Sequence, residues 1–123
     1  MRLALILCVC APLVARAQTQ PTLSSADAWL PRTTGDLVVL DKVRARPTTV
    51  TLTTGKTATA GPLAITLIRC VTRPADVPAN SAAFVEIRDS RSPATFRGWM
   101  LVNEPSLGQL EHPIYDVRLI ACR

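Results

Sequence analysis

His112 is the only histidine in this 123-residue chain. It stands in Leu110-Glu111-His112-Pro113-Ile114-Tyr115-Asp116, with Ser106 a short way upstream. With Ser106 and Asp116 it would form a Ser–His–acid triad, the imidazole taking the hydroxyl proton and the carboxylate orienting the ring. With Glu111 and Asp116 it would offer ligands to a metal ion, or a general acid–base group in a ligand pocket. Glu104 and Glu111 would be the carboxylate pair of a glycosidase. The context argues against each. Ser106 has no G-x-S-x-G elbow and no oxyanion loop. Adjacent Glu111 and His112 diverge, and the further His or Cys ligands of a zinc site are missing. Loop carboxylates are ordinarily solvated. The five glycines are scattered singly, so no phosphate-cradling loop exists. No catalytic residue, metal ligand or cofactor is assigned. The plainer reading of His112 is a hydrogen bond to backbone where the last strand begins.

The four cysteines divide into two pairs. Arg2, the apolar run Leu3 to Val14 and the small-x-small triplet Ala15-Arg16-Ala17 read as a secretory signal peptide over residues 1–17. The run is too short for a lasting membrane anchor, and no later stretch is long enough to span a bilayer. Cys8 and Cys10 leave with the leader; Leu7 and Val9 before them are wrong for lipoprotein processing. Cys70 and Cys122 remain in an oxidising compartment, where one disulfide is the expectation. Free or redox-active thiols and metal ligation are the alternatives. A bridge would close a loop of about fifty residues, worth roughly 4 kcal/mol in the chain-entropy picture. The whole domain has about 5–10 kcal/mol.

Charge narrows the partners. The formal charge of +5 falls to +3 without Arg2 and Arg16. That is mild basicity, suited to anionic envelope material and too weak for a nucleic-acid binder. Arg88, Arg91 and Arg97 flank one polar turn, a solvated hairpin tip or an acidic-partner contact.

The elements that must position these residues are strands. Residues 18–34, rich in Thr, Ser, Gln and Ala, read as a flexible lead-in, with a turn of helix expected over Ala26 to Leu30 and Trp29 as an anchor. From residue 35 the texture becomes β-branched and alternating. Strands are predicted over Asp36–Val43, Thr48–Thr54, Thr57–Ala60, Leu63–Thr72, Ser81–Asp89, Thr95–Asn103 and Ile114–Cys122. Leu63–Thr72, apolar on both faces, belongs in the centre. Pro105 to Glu111 is a short helical turn capped by Asn103 and ended by Pro113. Six to seven short strands with Pro/Gly turns give an all-β fold, a small antiparallel β-sandwich or barrel with one disulfide, over residues 35–123. Trp99 and Tyr115 either anchor its core or form an exposed recognition surface, Tyr115 directing its hydroxyl to the Glu104–Glu111 segment.

Phe96-Arg97-Gly98-Trp99-Met100, Pro105-Ser106-Leu107, Leu110-Glu111-His112-Pro113-Ile114-Tyr115-Asp116-Val117 and the final Cys122 resemble the exported bacterial proteins grouped as domain of unknown function 2155. Leu40-Asp41-Lys42-Val43, Cys70 and Ser81-Ala82-Ala83-Phe84 match as well. The resemblance covers roughly Asp36 to Cys122. It implies an alphaproteobacterial, periplasmic setting. The family carries no established activity, so the resemblance transfers no catalytic residue. Arg118 departs from the aromatic or aliphatic residue common there, which speaks against a deep apolar pocket beside the last strand.

The functional expectation is an exported, non-catalytic envelope module with an envelope protein as partner and a contact surface of Trp99, Glu104, Glu111, His112, Tyr115 and Asp116. The competing expectation is a small-ligand binder or hydrolase-like enzyme using Glu111, His112 and Asp116.

Overall fold

A computed structural model describes Ser24 and residues 27–123. The expected signal peptide, with Cys8 and Cys10, and residues 18–23, 25 and 26 of the lead-in lie outside the described residues. Eight strands follow in order: β1 (Leu30–Arg32), β2 (Thr34–Asp41), β3 (Arg46–Thr53), β4 (Thr57–Ala60), β5 (Leu63–Thr72), β6 (Ser81–Asp89), β7 (Thr95–Leu101) and β8 (Tyr115–Cys122). They form two antiparallel sheets, one of three strands ordered β3-β2-β8 and one of five. In the larger sheet β5, β6 and β7 run side by side, and β1 and β4 share the other edge of β5.

All seven expected strands are present, and Leu63–Thr72 is central. The additional strand is β1. Leu30–Arg32 falls in the stretch read as lead-in, and its backbone pairs with Cys70–Thr72. A lone three-residue segment has no alternation to read, so only its partner makes it a strand. Trp29 does not anchor a helix; it is 37% exposed under the Arg73 guanidinium, 4.7 Å from the ring centroid. The helical turn after β7 is a single 3-10 turn, Pro105–Leu107, with Pro in its first positions. Its cap residue is Glu104 and makes no capping bond, whereas the Asn103 amide donates to the Ala79 carbonyl oxygen.

The core follows from the alternation. Leu37, Val39, Val50, Leu52, Val117 and Leu119 face inward from the small sheet. Leu63, Ile65, Leu67, Val85, Ile87 and Met100 face them from the large one. Each residue buried on one face leaves its neighbours on the other. Cys70 on β5 and Cys122 on β8 are joined by a disulfide across the two sheets, with Cα atoms 5.6 Å apart. Gly35 lies against this bridge. A Cβ there would stand 2.9 Å from Cys70 Sγ and 3.0 Å from Leu67 Cδ2, so no larger residue fits without moving the clasp.

Candidate functional site

The opposite end of the sandwich is built around His112. Its ring is nearly buried, at 3% side-chain exposure. Pro113 follows it and turns the chain, so that Nδ1 accepts the backbone N–H groups of Ile114 at 3.0 Å and Tyr115 at 3.1 Å. This is the arrangement short polar side chains use to close a turn on their own backbone. Two donors at Nδ1 place the proton on Nε2, which donates to Asp89 Oδ2 at 2.8 Å. Lys42 Nζ donates to the His112 carbonyl oxygen at 2.7 Å. The Tyr115 ring tilts against the imidazole, centroids 5.2 Å apart.

Asp89 ends β6. Besides His112 it accepts the Arg91 N–H at 2.8 Å and the Ser92 hydroxyl at 2.9 Å, as an Asp opening a polar turn does. The bond from His112, then the Arg91 N–H, hold its carboxyl at about 2, well below the ordinary 3.8, against the opposing effect of burial.

This settles what the imidazole can do as arranged. Both nitrogens are occupied, one by the carboxylate and one by backbone, so neither is free to take a proton from a substrate. Ser106 and Asp116 are not its partners. Asp116 pairs with Arg118 at 2.9 Å, next to inward-facing Val117, and so lies on the outer face of the small sheet. Glu111 is exposed. The three residues of the enzyme-like reading thus point to separate surroundings. No group of three or more His, Cys, Asp or Glu suited to a metal ion occurs among the described residues. Glu104 Oε2 accepts the Asn80 amide at 3.0 Å, while Glu111 is exposed. Tyr115 packs against the core, and its hydroxyl lies by Gly61, where a Cβ would stand 3.3 Å away. It does not reach for the Glu104–Glu111 segment because Gly61, at φ +57, turns β4 into β5 directly beside it.

Trp99 is not a core anchor. It lies on the outer face of the large sheet, 41% exposed, because its neighbour Met100 takes the inward position. There it meets Phe84 edge-on, centroids 5.3 Å apart. The Arg97 guanidinium covers Phe84 at 5.6 Å and pairs with Glu86 at 3.4 Å, and Glu86 also pairs with Arg88 at 2.8 Å. The hairpin-tip arginines are thus partly neutralised by one glutamate.

Residues 35–122 match the family described as "Uncharacterized protein conserved in bacteria (DUF2155)". The chain belongs to the DUF2155 family. No curated protein and no solved structure matches it. In this DUF2155 domain the Glu-His-Pro-x-Tyr-Asp stretch is an architectural knot, with His112 tying strand ends and Tyr115 closing the gap over Gly61. Sequence reasoning missed Asp89 and Lys42, which complete the knot. The signal for Asp89 was its place at a strand end before Ser90-Arg91-Ser92-Pro93. Nothing in the sequence pointed it at His112.

Proposed function

We propose that this DUF2155 domain is an exported, non-catalytic envelope module whose partner docks on the outer face of the large sheet, centred on Trp99. The observation that carries this reading is the exposed Trp99–Phe84 pair under Arg97. Tryptophan and arginine are enriched where proteins meet, since a large rigid ring and a planar cation contribute contact area at low entropic cost. Arg69 stands exposed beside Phe84 in register on β5, so Arg69, Arg88 and Arg97 outnumber Glu86. That excess of positive charge fits an acidic protein surface. The occupied imidazole of His112 supports the non-catalytic half of the reading.

The test is site-specific photo-crosslinking in native cells, with the probe at Trp99 or at Thr49 on the outer face of the small sheet. One discrete adduct from position 99, absent from position 49, is the expected result. No adduct, or the same adducts from both faces, overturns the assignment. Cell fractionation checks export on its own.

A further inference from the structure

The disulfide end of the sandwich carries a second surface of different chemistry. An open cleft of about 580 Å³ lies between the ends of β1, β5, β6, β7 and β8. Three guanidinium groups line it, from Arg32, Arg73 and Arg123, and no Asp or Glu does. Each arginine is held by a partner. Arg32 Nε donates to Thr72 Oγ1 at 2.9 Å, and its two terminal nitrogens make no hydrogen bond among the described residues. Arg73 donates to the Ala28 carbonyl oxygen at 3.1 Å and sits over the Trp29 ring. Arg123 pairs with Asp36 at 3.0 Å. The carboxylates of Asp36 and Glu104 bond to lining residues from outside the cleft, and among the described residues two of its three cations, Arg32 and Arg73, have no carboxylate partner.

The floor is shaped as well as charged. Asn80 accepts the N–H groups of Ser81 and Asn103 and donates to Glu104, fixing the wall where β6 begins. On β8 the register shifts between Asp36 and Leu37, which pair with Ala121 and Leu119; Ile120 is the extra residue. It is 53% exposed and lines the cleft together with Val102. A bulge that turns an isoleucine outward beside three arginines makes a mixed apolar and cationic trough.

We infer that this cleft binds an acidic peptide segment, its carboxylates on Arg32 and Arg73 and its backbone along Ile120 and Val102. Guanidinium forks match carboxylates in two parallel hydrogen bonds. The volume far exceeds a lone phosphate, and an extended acidic chain engages both unpaired cations and the Ile120 side chain together.

The probe is fluorescein-labelled hexaglutamate, read by fluorescence anisotropy, with hexaglutamine and inorganic phosphate as comparators. Binding of hexaglutamate that weakens with salt is expected, with hexaglutamine inert and phosphate a poor competitor. Arg32→Gln weakens it about tenfold, the loss of one charged hydrogen-bonded contact. Arg32→Lys, which keeps the charge and loses the fork, falls between. Arg46→Gln, an exposed cation at the histidine end, leaves binding unchanged. Equal losses from Arg46→Gln and Arg32→Gln, equal binding of hexaglutamine, or full competition by equimolar phosphate overturns the inference. The cleft and the Trp99 face fail separately: Trp99→Ala leaves hexaglutamate binding intact, and Arg32→Gln leaves the adduct from position 99 intact.

Discussion

His112 Nε2 donates to Asp89 Oδ2 at 2.8 Å, and that bond fastens the beginning of β8 to the end of β6 in the opposite sheet. The Cys70–Cys122 disulfide fastens the other end of β8 to β5. Within its own sheet β8 is an edge strand, paired only with β2. It is therefore held by one ladder along its length and by two cross-sheet clasps at its ends, one electrostatic and one covalent.

Replacing His112 by Ala removes three hydrogen bonds at once and leaves two turn N–H groups unsatisfied. Unsatisfied buried groups cost about 1–3 kcal/mol each. A loss of about 2–4 kcal/mol in urea unfolding is expected, with no change in binding at Trp99. A loss below half a kcal/mol would show that the knot is ornamental.

Acid should loosen the same clasp. The Asp89 carboxyl sits at about 2 when folded and near its ordinary 3.8 when unfolded. Its contribution is complete above about pH 4 and is lost as pH falls from there towards 2. Asp36, lowered by Arg123 and Thr51, acts in the same direction. Unfolding midpoints measured against pH should therefore drop through this window. Asp89→Asn, less stable at neutral pH, should give a flatter acid limb than the parent.

The disulfide spans a sequence separation of 52 residues. Chain entropy gives roughly 4 kcal/mol for that loop. Reduction, or Cys70→Ala with Cys122→Ala, should lower the thermal midpoint by about 15–30 °C at 4–8 °C per kcal/mol. Calorimetry with and without reductant measures it.

Gly108 is buried where the chain leaves the 3-10 turn, and a Cβ built on it overlaps the Trp99 carbonyl oxygen. The obstacle is backbone, which cannot rotate aside. Gly108→Ala should push the 105–110 segment off β7 and expose Leu110, now 5% accessible. Faster amide exchange at Leu110, with β2 and β3 unaffected, is the expected signature.

The strands were legible in the sequence because their information is local. Val50 and Leu52 alternate with Thr49, Thr51 and Thr53, and period-two burial needs no knowledge of the partner. The pairing of Cys70 with Cys122 was legible for a chemical reason: two thiols remained once the leader was set aside. So was the reading of His112 as a backbone partner, since a following proline forces a turn there. The acid partner was not. Asp89 and His112 stand 23 residues apart, and whether they meet depends on where two strands end and how two sheets stack. The outward position of Trp99 was equally hidden, since its face is set by the register that sends Met100 inward. Residue order by itself determined seven of the eight strands, most of their turns and the covalent bridge. Tertiary structure alone decided that the one histidine is a strut, that the tryptophan meets solvent, and that three distant arginines share a cleft. Those outcomes are made by contacts across sheets, which no local pattern encodes.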